Sequence, residues 1–464
     1  MRFISTRGAA PEVGFVEAML GGLAPDGGLY SPGTWPLFSQ EEIEAFAGQP
    51  YAVVAARILG VFAGGAIAPA ALASICDQAY ATFLHPATTP LRQLAPGTQL
   101  LELFHGPSLA FKDVAMQVLA RLYEHVLAAS GRTLTIVCAT SGDTGGAAVE
   151  AFRGRANIRI VALFPEGRIS EVQRRFMTTA RDSNVRALAV AGDFDACQAI
   201  LKTLFRDEAF THEVSLSAVN SINFVRIAAQ CVYYFTAAVA LGAPRREVSF
   251  VVPTGNFGDA FAGWAAKRMG LPIKQIFAAT NRNDILARAL ETGVYERGAL
   301  EPTQSPAMDI QVASNFERLY FEACGRDGEG TRRAFEGFDQ GGALTIPPKV
   351  LAAMRDTLSG LRADEAETSQ AMALAWRDGR GLLDPHTAVA VAASRSLKLP
   401  GATPLVVLST AHPAKFPEAV LAATGAVAPR PLIVGRLALE PERIDRIAPD
   451  ASAVKAYVRR FVAT

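Results

Sequence analysis

The chain is short of cysteine, of lysine and of any surplus of charge, and each shortage excludes something. Its five cysteines, Cys76, Cys138, Cys197, Cys231 and Cys324, lie far apart and form no C-x-x-C pair, which argues against a disulfide framework and a zinc ribbon. A reducing, cytoplasmic setting and no metal centre are expected. The 45 basic residues stand against 44 acidic ones, a formal net charge of +1, and half of the residues are apolar. A nucleic-acid binder that neutralises phosphates carries a basic excess, and a disordered chain has few apolar residues, so neither class fits. Residues 1–11 hold no apolar run of the roughly 7–15 residues that an export signal requires. The most membrane-like stretch, 228–243, includes Gln230 and Thr236 and falls short of the ~20 residues needed to cross a bilayer, so it reads as a buried helix. No nucleic-acid partner and no membrane are expected. Of the 45 basic residues only eight are lysine: Lys112, Lys202, Lys267, Lys274, Lys349, Lys398, Lys415 and Lys455. Chemistry that needs an amine therefore has few candidates.

A length of 464 residues allows two to four domains at roughly 100–200 residues each. Residues 1–85 combine glycine-rich turns with helical patterning from Glu41 to Ala81 and read as a small, mostly helical leading module. The segment 85–90, with Pro86 and Pro90, reads as a linker because closely spaced prolines disfavour helix continuation. Beyond it, short β-branched runs alternate with longer amphipathic stretches. Strands are predicted at Leu134–Ala139, Ile158–Phe164, Val185–Val190, Val248–Val252, Ile273–Ala278 and Leu405–Leu408. Such alternation argues for an α/β fold of parallel sheets flanked by helices, with ligands at the carboxyl ends of the strands.

Two strand-to-helix junctions are rich in glycine: 140–146, Thr-Ser-Gly-Asp-Thr-Gly-Gly, and 254–259, Thr-Gly-Asn-Phe-Gly-Asp. Turns of this kind can converge several N–H groups at a helix N-terminus and favour an anion, although each alone is equally ordinary βα punctuation. There is no Gly-Lys dipeptide, hence no Walker A loop, and no G-x-G-x-x-G follows a strand. A phosphate-bearing cofactor other than a nucleotide fits better. Lys112, the first lysine in the chain, sits among Leu109, Ala110, Phe111, Val114, Ala115 and Met116, just after a Gly106-Pro107 turn. A lysine in apolar surroundings has its pKa lowered and its amine freed for Schiff-base chemistry. An isolated lysine of this kind is more often exposed at a helix start or paired with its neighbour, here Asp113. In company with two anion cradles, an amine points to pyridoxal phosphate.

At these residues the sequence resembles the threonine synthases, fold-type II pyridoxal-phosphate enzymes related to the tryptophan synthase β subunit, in their longer, N-terminally extended branch. The motifs run nearly end to end: Ser5-Thr6-Arg7-Gly8, 22–30, 104–113, 140–145, Asn220-Ser221-Ile222-Asn223, 253–259, 314–318, Asp384-Pro385-His386-Thr387-Ala388 and 409–416. Ser108 stands where threonine is common, and Phe224-Val225 where Trp-Ala is usual. The resemblance implies an N-terminal module over 1–85 and a catalytic region over 86–464, with a smaller α/β subdomain inserted at roughly 115–225. It implies that Lys112 is the Schiff-base lysine, that Gly255, Asn256, Phe257, Gly258 and Asp259 cradle the cofactor phosphate, and that Thr410 faces the pyridine nitrogen. Asp259 is expected to act through its backbone. Ser141, Gly142 and Thr144 would take the substrate carboxylate, with Asn220 and Asn223 lining the same pocket; an asparagine pair here can also be local backbone capping.

His105, His386 and His412 are either functional or structural hydrogen-bonders, and Lys415 is either a ligand for substrate phosphate or a surface charge. The activity implied is conversion of O-phospho-L-homoserine and water to L-threonine and phosphate, a lyase step in threonine biosynthesis, by a monomer or homodimer. Lys112 would act as base at Cα and again at Cβ. A serine or threonine dehydratase of the same fold type would need no site for a substrate phosphate, and the terminal motifs weigh against it. A non-catalytic cofactor- or phosphate-binding relative would have lost Lys112.

Overall fold

Runs of β-branched and small apolar residues build two separate sheets. The computed structural model describes residues 1–217, 219–397 and 403–463, so Lys398 lies outside the described residues. The larger sheet has six strands in the order Leu358–Arg362, Ile273–Thr280, Val248–Pro253, Leu405–Ser409, Thr98–Glu102 and Leu91–Ala95. All neighbours are parallel except the last pair, which forms an antiparallel hairpin at one edge. The smaller sheet has five strands, all parallel: Asp445–Ile447, Val185–Val190, Ile158–Pro165, Leu134–Ala139 and Leu216–Ser217. Val248–Pro253 and Leu405–Ser409 are buried at every residue, as helices on both faces require. The six strands read from the sequence are all present, several of them a residue or two longer. The smaller sheet also takes an edge strand, Asp445–Ile447, from the C-terminal segment, far outside 115–225.

The leading residues form the helices Phe15–Gly21, Gln40–Glu44, Tyr51–Ala63 and Pro69–Tyr80, with one antiparallel strand pair, Phe3–Ser5 and Tyr30–Pro32. They share one hydrophobic core with the residues that follow. Phe224 shows how: its ring lies edge-on to Phe3 at 5.0 Å and to Phe62 at 5.2 Å. The long apolar stretch near 228–243 is the helix Phe224–Ala240, buried at most positions. Among the described residues no helix is long and apolar enough to cross a membrane.

Candidate active site

The carboxyl ends of strands from both sheets open onto one cavity. Its walls include Lys112, Ser141, Asp143, Thr144, Asn220, Arg226, Gly255, Asn256, Gly258, Asp259, His386 and Thr410, and each reaches it for a local reason. Lys112 is the first residue of the helix Lys112–Ser130. The turn before it is held by Asp113, whose carboxylate accepts from Ser108 N and Ser108 Oγ, both at 2.8 Å. Gly106 is required there, since a Cβ would lie 2.4 Å from Asp113 Cβ. Asp113 is therefore spent on the turn and is not the partner of Lys112; burial, against those bonds and the nearby Lys415 charge, pushes its carboxyl up to about 6. Ser108 supplies the hydroxyl that this arrangement uses. Two backbone hydrogen bonds, Phe111 N to Thr410 O at 2.8 Å and His412 N to Leu109 O at 3.0 Å, fasten the lysine loop to the end of Leu405–Ser409. Lys112 and Thr410 are thereby brought to the same place from distant parts of the chain.

Among the described residues no hydrogen bond or ion pair engages the Lys112 amine, which lies 4.6 Å from the centre of the Phe111 ring. Burial lowers its pKa; Asp143 and Asp259 pull the other way, and Arg226 and Lys415 reinforce the lowering. A half-buried, unpaired amine of reduced pKa is what a carbonyl cofactor needs.

The 254–259 loop ends at the helix Gly258–Arg268, with Phe257 in the left-handed region at φ 63. That conformation turns the chain so that, among the described residues, the N–H groups of Gly255, Asn256, Phe257 and Gly258 have no protein acceptor. Four open donors at the start of an eleven-residue helix make an anion site by geometry and dipole together. The Phe257 ring does not reach the cavity: it is fully buried and packs against Phe316, so that residue has only its backbone to offer. The Asp259 carboxylate bonds Thr254 Oγ1 and, at 2.9 Å, Ala260 N. Burial raises its pKa against those bonds.

The 140–146 loop is organised differently. Thr140 Oγ1 accepts from Gly142 N at 2.9 Å and from Gly145 N at 2.8 Å, closing the loop on itself. Gly142, expected to hold a substrate carboxylate, is thus a correction: its N–H is engaged by Thr140, and it supplies a turn at φ 129 whose Cβ position is filled by Gln173. Ser141 and Thr144 do line the cavity. Asn223 is the second correction. Its amide donates to Met19 O at 2.8 Å and Tyr123 Oη at 3.2 Å, and its oxygen caps Val225 N at 3.0 Å. Asn220, by contrast, faces the cavity.

All three histidines in the motifs are held by neighbours. His386 Nδ1 lies 3.0 Å from Asp384 Oδ1 while its Nε2 accepts from Ala307 N at 3.2 Å, which fixes the ring in the cavity wall. His105 pairs with Glu102 at 3.0 Å. His412 accepts from Ala414 N, and burial together with His105 lowers its pKa to about 4. Lys415 is neither of the things its sequence context suggested. It is fully buried, does not line the cavity, and its ammonium donates to Ser108 O at 2.7 Å and pairs with Asp143 Oδ1 at 2.8 Å.

The residue that sequence reasoning passed over is Arg226. It is 3% exposed and lines the cavity, yet among the described residues its Nε has no partner and no carboxylate pairs with it. Among the described residues its side chain donates one hydrogen bond, to Val219 O at 3.0 Å. Burial lowers its pKa to about 10, partly offset by Asp259. A buried guanidinium without a counter-ion is costly unless an anion arrives. The signal was present in the sequence, since Arg226 and Gln230 are spaced i, i+4 in an otherwise apolar helix and so share one face.

An unpaired amine, a row of open N–H donors and a neutral hydroxyl around one cavity fit pyridoxal phosphate, and fold and site together define a pyridoxal-phosphate-dependent enzyme of fold type II. The family model for pyridoxal-phosphate dependent enzymes matches residues 83–336. The chain belongs to the threonine synthase family: the models for the threonine synthase N terminus and C-terminal region match 2–80 and 387–458. It is 46% identical to the threonine synthase of Pseudomonas aeruginosa over 99% of this chain and 98% of that one. A crystal structure of the pyridoxal-phosphate-bound threonine synthase of Brucella melitensis superposes with a TM-score of 0.97 at 51% identity, covering 100% of both chains. The yeast threonine synthase superposes at 0.94 with 36% identity, over 100% of this chain and 99% of that one.

Proposed function

We propose that this lyase converts O-phospho-L-homoserine and water to L-threonine and phosphate. The observation that carries the reading is that one cavity holds two provisions for anions, the N–H row of 255–258, open among the described residues, and the uncompensated guanidinium of Arg226, together with the free amine of Lys112. A cofactor phosphate and a substrate phosphate each need one.

Pyridoxal phosphate, when bound, supplies an electron sink that acidifies the substrate's Cα and, through it, Cβ. The chain's own residues do the rest. Lys112 would anchor the cofactor through its amine and move protons: it takes one from Cα and one from Cβ, and once the Cγ–O bond breaks and phosphate leaves with the bonding pair, one proton goes to Cγ and the other to the departing phosphate. Water then gives its hydroxyl to Cβ and a proton to Cα, which balances the reaction. The backbone of Gly255, Asn256, Phe257, Gly258 and Asp259 receives the cofactor phosphate. Thr410 offers the ring nitrogen a neutral hydroxyl, which does not enforce protonation as a carboxylate would. Ser141 and Thr144 hydroxyls orient the substrate carboxylate. Asn220 and Arg226 meet the substrate phosphate, where a charged hydrogen bond contributes about 1.5–3 kcal/mol.

The catalytic region is read as 86–464 behind a module at 1–85. Residence in the cytoplasm as a monomer or homodimer, with no nucleic-acid or membrane partner, is supported by the unbridged cysteines and the balanced charge. The testing experiment is phosphate and threonine release from O-phospho-L-homoserine, run beside ammonia release from L-serine. Turnover of the phosphorylated substrate is expected; turnover of serine alone would transfer the protein to the dehydratases.

A further inference from the structure

Lys415 stands in the turn that follows Leu405–Ser409 of the larger sheet, and apart from Ser108 and the His412 carbonyl of its own turn, its hydrogen-bond and ion-pair partners among the described residues belong to the smaller one. Its ammonium pairs with Asp143, the first residue of the helix Asp143–Phe152. The same carboxylate oxygen accepts from Gln173 Nε2 at 3.0 Å. Gln173 and Ser170 form the capping box of the helix Glu171–Thr178, and Ser170 Oγ donates to Lys415 O at 3.0 Å. Through its two ends, one buried residue thus grips the N-termini of two smaller-sheet helices and the loop that presents Lys112. Asp143 is also a wall of the active cavity, so a lone carboxylate there would face both the amine and an anionic substrate.

We infer that Lys415 is a positioning residue: its pair with Asp143 fixes the 140–144 loop against the Lys112 loop across the boundary between the sheets, and it screens a carboxylate that would otherwise repel the substrate. The inference rests on the proposed substrate for its second half only. The charged groups facing the Lys112 amine are Asp143, Arg226, Lys415 and Asp259, and those facing Asp143 are Lys415 and Lys112, with the titratable His386 ring beside them. Deleting Lys415 leaves Asp143 to favour the protonated amine. Deleting Asp143 leaves Lys415 to disfavour it. The two single variants must therefore move the amine in opposite directions, a signature that loosened packing does not produce. Removing one partner of a buried pair strands the other charge, whereas removing both does not.

The experiment compares wild type, Lys415→Met, Asp143→Asn and the double variant in the full-length chain. One readout is the pH profile of pyridoxal phosphate uptake, followed as visible absorbance after cofactor removal; the other is KM and kcat for O-phospho-L-homoserine with the Ki of inorganic phosphate. Lys415→Met is expected to move the uptake profile to higher pH and raise KM and Ki about tenfold with a smaller change in kcat, Asp143→Asn to move it to lower pH, and the double variant to lie nearer wild type than either. Should Lys415→Met fail to fold, the isosteric Asp143→Asn still has to give its acid shift. Shifts of the same sign in both single variants, no shift, or a double variant as impaired as the sum of the singles would overturn the inference. A wild type that takes up pyridoxal phosphate but leaves O-phospho-L-homoserine intact would remove the reaction assignment, while the uptake profiles still decide the pairing.

Discussion

The two glycine-rich junctions, 140–146 and 254–259, look alike as text and differ as structure. Both join a buried parallel strand to a helix, and both carry an aspartate in the first turn of that helix. In 254–259 the aspartate is satisfied inside its own loop by Thr254 and Ala260, leaving four consecutive N–H groups open. In 140–146 the Thr140 hydroxyl consumes the N–H groups of Gly142 and Gly145, and Asp143 reaches outward to Lys415 and Gln173. The first arrangement suits a dianion held by backbone alone. The second suits orientation of a substrate by side chains on a loop fixed to its surroundings. Glycine content announces a sharp turn; where the hydroxyl and the carboxylate point decides what the turn can hold.

This contrast can be broken by glycine substitution. A Cβ at Gly255 would lie 2.8 Å from Ala307 O and 3.2 Å from Met308 Cα, backbone that cannot step aside. Gly255→Ala is expected to weaken pyridoxal phosphate binding 10- to 100-fold, about 1.4–2.8 kcal/mol, as read by absorbance titration. A Cβ at Gly145 would strike Met177 Sδ and Thr140 Cγ2, both at 2.4 Å, so Gly145→Ala should raise KM for the substrate while leaving cofactor affinity within about threefold. Equal losses of cofactor affinity in both would erase the distinction between the loops. Next in size, Arg226→Met should raise KM for O-phospho-L-homoserine and the Ki of inorganic phosphate about tenfold, since a charge-assisted hydrogen bond is lost. Unchanged values would remove Arg226 from the substrate site.

The smallest effect concerns acid stability, where the two aspartates should act with opposite sign. At Asp143 burial works to raise the pKa, but Lys415 and Lys112 outweigh it and hold the carboxyl well below its usual value. Its stabilisation is therefore complete above the unfolded value near 3.9 and is lost as pH falls through the depressed folded value. At Asp259 burial raises the pKa against Thr254 and Ala260, so its contribution is present in acid and is lost as pH rises through the raised value. Urea unfolding from about pH 2.5 to 6 should show that Asp143→Asn flattens the acid loss of stability and that Asp259→Asn steepens it, with slopes bounded by about 1.4 kcal/mol per pH unit for one proton. Slopes of the same sign would contradict the assignment of the two carboxylates.

Much of this architecture was legible because its central strands carry dense runs of β-branched and small apolar residues. The strands that escaped sequence reading are those without such a run. In the two large sheets these are Leu91–Ala95 and Leu358–Arg362, at sheet edges and only partly buried, Thr98–Glu102, buried at only Leu100 and Leu101, Leu216–Ser217, of two residues, and Asp445–Ile447, mostly exposed. Motif positions pointed to Lys112, Thr410 and the 255–259 loop, which the structure brings to one cavity because each belongs to a local loop or a strand end. Asn223 and Gly142 misled because capping and ligand binding draw on the same residue types. Lys415 needed three dimensions, since a turn lysine acquires its meaning from what lies across the sheet boundary, at a sequence separation no local pattern spans; the i, i+4 spacing of Arg226 and Gln230 marks a polar helix face in the sequence but not the cavity that it lines.

The central claim is that the Lys112 amine carries the chemistry in a cavity built for pyridoxal phosphate and a phosphorylated amino acid. It is tested most directly by the visible spectrum and the phosphate release from O-phospho-L-homoserine of wild type and Lys112→Ala side by side. The account predicts a coloured, active wild type and a variant without the lysine-linked absorbance band whose turnover falls by about 10³-fold or more, the combined loss of covalent anchor and general base. A colourless wild type, or a variant that still releases threonine and phosphate at a comparable rate, would contradict it.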